Sequence, residues 1–585
     1  MEANYWTRLL DRRLTRRAAI RTGATGATAL GAAAFLAACG SSNKKNNTAA
    51  APAKSSTAGS AATAAAAAAS ATAAASTGPT LSPATKFGGT YNVGFTGPFA
   101  GVDPHNSVYG GAGIVPVVYS LLVRANIFRA QYGVIPDLAT SYEIMPDKLT
   151  YVFHLRPDAM IAQNSANVPV RPMDSGDVVK SFDRIADKSL GTNGFSFFDQ
   201  HVDKYSAVDA NTVQLVTKAP YAWTLNNLGN NLVGAIVPKE LLATSADNLK
   251  KTAVGSGYMT LSELVEGSHA TMLKNPTYFN KGKPYVDSIV IKAFADQATY
   301  RTAFSSGQLD AYGATNLTEA KGLEKAGKID LLSYPTSGYD SIWMNTKVKP
   351  WDNPMIRRAI SRAVNRDEYI QLLNLGQGNG IGPITTAMHP YDLPQEELKT
   401  KQQPFSISDA KALLSAAGQP NLTFDFNHPT SSTMPDYANI FVRQMAAAGI
   451  TAKAQPQDAG TWVAQYFASK LVFSLTLNQE YQDPNSALLW YHTNGITGNG
   501  HYDNGFSDPA VDKAIDDAAQ SFDEPTRIKA YLDAQRLIYS KDPAFLNFVN
   551  IGGATNAVYQ NYVQNFEATE YSLSYWFWQD VWLNK

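Results

Sequence analysis

Leu149-Thr150-Tyr151-Val152-Phe153-His154-Leu155-Arg156 is the stretch that decides the fold class. Its apolar and polar side chains alternate with period two, which predicts a half-buried β-strand. A second strand with the same alternation is predicted over 212–217, after the polar turn 209–211. Helical patterns elsewhere in the chain, together with these strands, predict a mixed α/β body.

Three segments downstream show the 3.6-residue period of amphipathic helices. The first is capped by Asn353 and carries Pro354 in its first turn, a combination typical of helix starts. The other two run from near Ser408 to Gly418 and from near Pro435 to Gly449. No repeat at solenoid spacing is present, so the body is predicted to be globular.

Length and composition exclude several classes of protein. The chain has 585 residues, of which 44% are hydrophobic, which predicts two or three lobes with sizeable cores. It has no run of 18 strongly apolar residues, so a polytopic membrane protein is excluded. Its one cysteine, Cys39, excludes a disulfide scaffold and any cysteine-based metal site. From Phe87 onward acidic residues outnumber basic ones, which argues against nucleic acid as a partner.

The N-terminal residues 1–38 are predicted to be an export signal. Arg16-Arg17 precedes a charge-free run over 22–43, as in twin-arginine signals. Leu36-Ala37-Ala38-Cys39 resembles the bacterial lipobox, in which the cysteine is lipidated and becomes the first residue. The alternative is a weak transmembrane anchor with an idle cysteine. Residues 39–86 are rich in Ala, Ser and Thr and lack aromatics after Cys39, which predicts a lipid-anchored flexible tether.

Sequence motifs of catalysis and metal binding are mostly absent. There is no P-loop, no HExxH and no EF-hand pattern, and no GxSxG supports a Ser-His-Asp triad, although such a triad stays open. The glycines of 376–382 are a turn-rich stretch, because Pro383 follows and no helix pattern opens there. His492 and His501 lie in a Gly/Asn-rich stretch, which favours a solvated loop over a metal site. We expect no catalytic residues, no metal and no cofactor.

Short motifs in a fixed order carry a resemblance over almost all of 87–585. The chain resembles the family 5 extracellular solute-binding proteins, the peptide- and nickel-type receptors of ABC importers. The matching pieces are Gly88-Gly89-Thr90, Asp103-Pro104-His105, Pro136-Asp137-Leu138-Ala139, the 149–156 strand, Asp177–Phe182, Gly255–Tyr258, Asn275–Tyr278, Ser306–Asp310 and Asn345-Thr346. Each piece is weak alone, but their order and spacing are specific.

The resemblance implies a periplasmic-binding-protein-like two-lobed α/β fold with an additional domain and several hinge crossings. By analogy, lobe I comprises 87–122, 237–343 and 547–585, the extra domain 123–236, and lobe II 344–546. Two departures from the family concern the ligand. Ile161–Gly176 is longer than the usual turn, and Asn427–Met434 lacks an arginine that dipeptide-type members tend to have. A strict dipeptide receptor is therefore not expected.

The strongest candidate ligand residue is Glu480, with Tyr481 beside it. Phe473, Leu475 and Leu477 alternate as a buried strand would, so Glu480 lies near a strand end, where α/β clefts commonly bind ligands. Peptide-type members of the family have an acidic residue followed by a tyrosine at these positions, and the acidic residue pairs with the α-amino group of the ligand. Leu477 replaces the family's tryptophan, so the pocket wall differs. The alternative for Glu480 is a solvated loop carboxylate.

Four further residues are candidates for the cleft. The resemblance places a ligand-contacting loop at Ser107 and Tyr109, for which a surface position is an equal alternative. Tyr339 lies at the approach to the hinge, and Trp490 is a candidate floor of the pocket. For both residues, packing in the core is the alternative role. His154 is interpreted as a structural residue of its strand.

These observations predict a receptor rather than an enzyme. The expected function is to capture a solute, foremost a peptide, between two lobes outside the cytoplasm and to deliver it to the permease subunits of an ABC importer. We expect a monomer, lipid-anchored to the cell membrane on the periplasmic or outer face. Two alternatives are an oligosaccharide or other solute receptor of the same fold, which the 9 Trp and 29 Tyr would suit, and a secreted lipid-anchored hydrolase.

Overall fold

The structure is a computed structural model, and all the residues that it describes lie within one compact unit, Ala73–Lys585. It describes residues 87–97, 101–106, 110–125, 133–231, 233–335, 339–430, 434–478, 483–493, 504–542, 545–550, 554–566 and 575–585. The predicted signal, Cys39 and the predicted tether lie outside the described residues. Within the described ranges, no helix combines the length and the apolar character that crossing a bilayer requires.

The described strands are distributed along the whole body. In chain order they are β1 (Thr90–Thr96), β2 (Ser120–Leu121), β3 (Val123–Ala125), β4 (Val134–Pro136), β5 (Ala139–Ile144), β6 (Thr150–Leu155), β7 (Val202–Asp209), β8 (Thr212–Thr217), β9 (Ala235–Ile236), β10 (Met259–Val265), β11 (His269–Lys274), β12 (Ser288–Phe294), β13 (Ala311–Ala314), β14 (Ile329–Pro335), β15 (Tyr339–Met344), β16 (Asn379–Gly380), β17 (Thr423–Pro429), β18 (Thr451–Gln457), β19 (Phe473–Asn478), β20 (Phe545–Asn550), β21 (Ala554–Gln560), β22 (Val563–Gln564) and β23 (Trp582–Leu583).

Helices alternate with these strands. The described α-helices are α1 (Gly110–Val118), α2 (Ser175–Ile185), α3 (Phe195–His201), α4 (Thr224–Leu228), α5 (Lys239–Leu242), α6 (Ala246–Leu249), α7 (Gln297–Ser305), α8 (Leu317–Lys325), α9 (Pro354–Ala363), α10 (Arg366–Asn374), α11 (Gln395–Glu397), α12 (Ile407–Ala416), α13 (Met434–Ala447), α14 (Ala459–Phe467), α15 (Pro484–Leu488), α16 (Pro509–Gln520) and α17 (Glu524–Ser540).

The elements predicted from periodicity are present. Strand β6 buries Tyr151, Phe153 and Leu155 and leaves the alternate residues half-buried. Strand β8 buries Val213 and Leu215 in the same way, and the two strands pair antiparallel. The three predicted helices are α9, α12 and α13, and the side chain of the N-cap Asn353 accepts a hydrogen bond in the first turn of α9. The predictions of these elements are confirmed.

Two sheets join segments that are far apart in sequence. The sheet β1-β12-β11-β10 pairs the first strand of the body with strands almost 200 residues later. The sheet β13-β21-β14 inserts a strand near the C-terminus between two strands of the middle region. Each sheet therefore forms only when segments distant in sequence pair with each other. The body is built from interleaved segments of the chain.

Buried Asp310 links these distant segments. Its carboxylate accepts hydrogen bonds from the backbone N–H of Asn92 at 2.6 Å and from the hydroxyl of Tyr562 at 2.5 Å. The Lys585 ammonium lies 3.2 Å from the same carboxylate. Because one side chain satisfies groups from both ends of the body, the Ser306–Asp310 motif has a structural role.

A six-stranded sheet, β16-β20-β15-β19-β17-β18, forms the centre of a second body. Two neighbouring strands of this sheet lie next in sequence to strands of the three-stranded sheet: β15 follows β14, and β21 follows β20. Within both sheets the two strands pair antiparallel, β14 with β21 and β15 with β20. The chain therefore connects the two sheets twice, and the strands at both connections are paired with each other.

A third group of elements is built around the four-stranded antiparallel sheet β5-β6-β8-β7. Helix α2 packs on this sheet, with Val178, Phe182 and Ile185 fully buried. The two-stranded ladder β2-β9 lies where this group begins and ends in the chain. Buried side chains from this group belong to one continuous apolar cluster with residues of α16 and α17.

Candidate functional site

The backbone register of β15 and β19 sets one predicted ligand position, Tyr339, opposite the last described residue before Glu480. Tyr339, the first residue of β15, lies opposite Asn478, the last residue of β19. Asn478 is two residues before Glu480 in the sequence. Glu480 and Tyr481 themselves lie outside the described residues. The register therefore places Asn478, after which residues 479–482 (the Glu480 segment) follow in the sequence, beside the first residue of β15.

Asp483 begins α15 directly after the Glu480 segment. Its buried carboxylate accepts hydrogen bonds from the backbone N–H and the hydroxyl of Ser486, each at 2.8 Å, as the N-cap of the helix. Burial raises the pKa of Asp483 to about 6. The Asp-Pro-Asn-Ser sequence, with Pro484 in the first turn, is a helix-start signal that the sequence analysis did not use.

The segment before Ser107 is anchored by a buried charged cluster. Arg184 donates to both carboxylate oxygens of Asp103, at 3.0 and 2.6 Å, and to Nδ1 of His105 at 2.8 Å. Nε2 of His105 lies 2.8 Å from the carbonyl oxygen of Ala235. Burial, together with the Arg184 charge, lowers the pKa of His105 to about 4, so the imidazole is neutral, accepts at Nδ1 and donates at Nε2. Ser107 and Tyr109 lie outside the described residues.

Trp490 lies in an aromatic cluster on one face of the six-stranded sheet. Its ring centroid is 5.5 Å from that of Trp343 on β15, which in turn lies 4.5 Å from that of Tyr466. Trp462 joins the cluster and donates from Nε1 to the hydroxyl of Ser474 at 2.9 Å. Trp490 is 5% exposed, so its packing beside the six-stranded sheet is observed, and its contact with a ligand stays a prediction.

The sequence matches a known family over most of its length. The model of the bacterial extracellular solute-binding proteins, family 5 Middle, matches residues 133–499. The chain belongs to this family. The resemblance identified from the short motifs is therefore confirmed, and membership implies an extracytoplasmic solute-binding protein.

Two curated relatives of this family 5 protein are similar over most of their own length. The glutathione-binding protein GsiB of Pectobacterium atrosepticum is 25% identical over 443 residues, which are 72% of this chain and 83% of the relative. The di/tripeptide-binding protein 2 of Pseudomonas aeruginosa is 24% identical over 433 residues, which are 70% of this chain and 80% of the relative.

A solved structure shares the fold of the family 5 protein. The periplasmic binding protein DppA of Helicobacter pylori, associated with an ABC transporter and solved in complex with the peptide STSA, superposes with a TM-score of 0.75. It is 22% identical, and the match covers 86% of this chain and 99% of that structure. The predicted fold class, a periplasmic-binding-protein-like α/β fold, is confirmed.

One prediction about a histidine was wrong. His492 was expected in a solvated loop, but it is buried, with Nε2 3.3 Å from the carboxylate of Asp516 and Nδ1 4.0 Å from that of Asp512. Burial lowers the pKa of His492, but the hydrogen bond to Asp516 outweighs it and raises the pKa above the ordinary value. The prediction failed because α16, which carries both carboxylates, packs its acidic side chains against His492 from a position 20 or more residues later in the sequence. His501 lies outside the described residues.

The described residues form two surface cavities but no cluster of metal ligands. Across the part of the chain that the structure describes, no three His, Cys, Asp or Glu side chains are grouped closely enough to hold a metal ion. A cavity of about 260 Å³ is lined by residues including Asp367, Gln371 and Lys399, and one of about 520 Å³ by residues including Arg301 and Leu372. Trp490 is in neither lining.

Asp340, which follows Tyr339 on β15, carries a buried carboxyl group. Burial raises its pKa to about 7, although the Tyr437 hydroxyl opposes this shift. Within the described structure, its Oδ1 has no hydrogen-bond partner. Between about pH 4 and pH 7 the folded state therefore binds more protons than the unfolded state, and the free energy of unfolding falls as the pH rises.

Asp340→Asn should stabilise the protein at pH 8 by roughly 1–2 kcal/mol. The raised pKa sets an upper limit of about 4 kcal/mol, and the buried amide keeps part of the polar desolvation cost. The gain should become small near pH 4, where the wild-type carboxyl is protonated in the folded state and about half protonated in the unfolded state. Urea unfolding at both pH values measures this gain, with exposed Asp425→Asn as the control. A gain of equal size at both pH values would contradict the ionisation argument.

Proposed function

We propose that the chain is a substrate-binding receptor that captures a peptide between two lobes and delivers it to the permease subunits of an ABC importer. The observation that carries the proposal is the double crossing of the chain between two sheets, in a protein of this family. Two short connections between the same pair of sheets would form a hinge with few torsions that can change, which suits closure around a ligand. The printed ligands of the relatives, glutathione, di/tripeptides and the peptide STSA, support a peptide.

The proposed domain division follows the sheets. Lobe I at 87–122, 237–343 and 547–585 would contain the sheets β1-β12-β11-β10 and β13-β21-β14, and the extra domain at 123–236 would contain β5-β6-β8-β7. Lobe II at 344–546 would contain most of the six-stranded sheet. We place the two crossings between β14 and β15 and between β20 and β21, a few residues from the boundaries expected from the sequence.

The proposed ligand site lies where the crossings meet the ends of the lobe II strands. Glu480 and Tyr481 would bind the α-amino group of the peptide, and Ser107 and Tyr109 would contact the ligand from lobe I. The position of Tyr339 opposite Asn478 supports its assignment to this site. The charged cluster of Asp103, His105 and Arg184 would hold the start of the lobe I loop in place.

The function is tested by titration of the purified protein with tripeptides and, as a neutral comparison, with maltotriose. Tryptophan fluorescence and calorimetry report binding, and mass spectrometry of the peptide after incubation reports any cleavage. Saturable binding of intact peptides supports the receptor. Cleavage products would support the hydrolase alternative, and binding of maltotriose alone would support the oligosaccharide receptor. Mass spectrometry of small molecules that co-purify with the protein would name the natural ligand.

We further propose that Cys39 anchors the protein through a multiply acylated lipid. One acyl chain holds a protein at a membrane only marginally, whereas two or more hold it stably. Cys39→Ala should therefore release the protein from the membrane fraction or leave the precursor uncleaved. Fractionation followed by gel mobility measures both outcomes, with Ser41→Ala as the control. A Cys39→Ala protein that fractionates and migrates like the wild type would exclude the anchor.

A further inference from the structure

We propose that the extra domain positions helix α15, and with it the C-terminal end of the Glu480 segment, through a buried interdomain hydrogen-bond chain. This chain consists of Tyr221 and Trp223 from the extra domain, Asn485 from α15 and Tyr531 from α17. The inference rests on the proposed peptide-binding function. It assigns the extra domain a part in ligand recognition although that domain contributes no proposed ligand contact.

The four side chains form one continuous series of hydrogen bonds. Nε1 of Trp223 donates to the hydroxyl of Tyr531 at 2.7 Å. That hydroxyl donates to Oδ1 of Asn485 at 3.1 Å, and Nδ2 of Asn485 donates to the hydroxyl of Tyr221 at 3.2 Å. All four residues are at most 5% exposed. Directional bonds in such a dry environment fix orientation more strongly than the same bonds in water.

The extra-domain end of the hydrogen-bond chain is held by further contacts. The ring of Tyr221 stacks on that of His201, with centroids 3.8 Å apart and planes 10° apart. The hydroxyl of Tyr151, on strand β6, donates to the carbonyl oxygen of Tyr221 at 3.1 Å. Between Tyr221 and Trp223, the backbone N–H of Ala222 donates to the carbonyl oxygen of Ala519 at 2.8 Å. The sheet of the extra domain is therefore connected directly to lobe II.

The lobe II end of the hydrogen-bond chain is α15, a short helix that other parts of the protein must stabilise. Helix α15 has five residues, and a helix of this length is not stable by itself because nucleation is unfavourable. Asn485, its second residue, is held from one side by Tyr221 and from the other by Tyr531. The residue before the helix is the buried N-cap Asp483, which directly follows the Glu480 segment. Any rotation of α15 would therefore move Asp483 and the peptide bond that joins it to the Glu480 segment.

The inference is tested with Tyr531→Phe, which keeps the ring and removes the hydroxyl shared by Trp223 and Asn485. The matched control is Tyr539→Phe on the same helix, because the hydroxyl of Tyr539 binds Gln403 and not α15. Calorimetry measures the Kd of a tripeptide with a free amine and of its N-acetylated form. In Tyr531→Phe the Kd of the N-acetylated form divided by the Kd of the free-amine form should fall about threefold to tenfold, the factor that corresponds to one lost hydrogen bond. In Tyr539→Phe it should stay at the wild-type value.

A second measurement needs no ligand. Hydrogen exchange of the backbone amides of 485–488 should be faster in Tyr531→Phe than in the wild type and unchanged in Tyr539→Phe. Tyr221→Phe, which removes the opposite hydrogen bond to Asn485, should reproduce both effects and replaces Tyr531→Phe if that variant fails to fold. A purely structural role would change the melting temperature but neither the Kd ratio nor the local exchange.

The outcomes separate this inference from the proposed function. Wild-type Kd ratios and wild-type exchange of α15 in Tyr531→Phe and Tyr221→Phe would overturn the inference, even where Glu480→Gln weakens binding as proposed. If Glu480→Gln leaves the affinity unchanged, the amine anchor fails. The inference is then decided by the hydrogen exchange of α15, where faster exchange supports it and unchanged exchange overturns it.

Discussion

Asp137→Ala is expected to lower the free energy of unfolding by about 3–5 kcal/mol, the cost of leaving a buried charge without its partner. The Asp137 carboxylate lies 2.8 Å from Nε of Arg124, and both side chains are almost completely buried, 3% and 6% exposed. Arg124 also donates to the carbonyl oxygen of Tyr119 at 2.8 Å, and Asp137 accepts from the backbone N–H of Leu121 at 2.7 Å. Removing the carboxylate therefore leaves a guanidinium and a backbone donor unsatisfied.

Urea unfolding measures this loss, and the chain offers a matched control. Asp158 forms a pair with Arg156 at 2.9 Å, but its side chain is 56% exposed. Asp158→Ala should change the free energy of unfolding by less than about 1 kcal/mol, as for other exposed pairs. Adding Arg124→Met to Asp137→Ala should restore part of the lost stability, because it removes the unpaired charge. Equal effects of the buried and the exposed variant would contradict this account of the Pro136–Ala139 motif.

Glu480→Gln is expected to weaken binding of a free-amine peptide by about a hundredfold or more. A peptide ammonium enclosed between two lobes without its counter-charge is costly, and breaking a buried charge pair typically loses about 3–5 kcal/mol. A hundredfold change in Kd corresponds to about 3 kcal/mol, the low end of that range. The melting temperature without ligand should change little, because the proposed partner of the carboxylate is the ligand.

Calorimetry with a peptide that the wild type binds measures the loss, and Glu396→Gln, at an exposed position on α11, is the control. The wild type should also prefer the free peptide to its N-acetylated form, and Glu480→Gln should lose this preference. Unaltered affinity in Glu480→Gln would remove the amine anchor and favour a neutral ligand such as an oligosaccharide.

Local patterns in the sequence predicted the elements that depend on local physics. Strand β6 and helix α9 follow from an alternation and from a cap that a few neighbouring residues specify. The family resemblance added the fold class, because the order of the motifs along the chain carries information that periodicity does not contain.

Long-range contacts could not be predicted in this way. The burial of His492 depends on α16, and the burial of Asn485 depends on Tyr221, 264 residues away. The pairing of β15 with β20 likewise joins strands about 200 residues apart. No local periodicity specifies such partners. Of the proposed ligand residues, Ser107, Tyr109, Glu480 and Tyr481 lie outside the described residues, so their contacts stay predictions.

We propose that the protein captures its ligand by closing two lobes about the two connections between the sheets. Ligand contacts on both lobes favour the closed state only when a ligand bridges them, so closure is a population shift driven by differential affinity. Small-angle X-ray scattering of the purified protein, with and without a saturating peptide whose binding calorimetry has verified, measures the change most directly. The account predicts a smaller radius of gyration with the peptide, and an unchanged radius at verified saturation would contradict it.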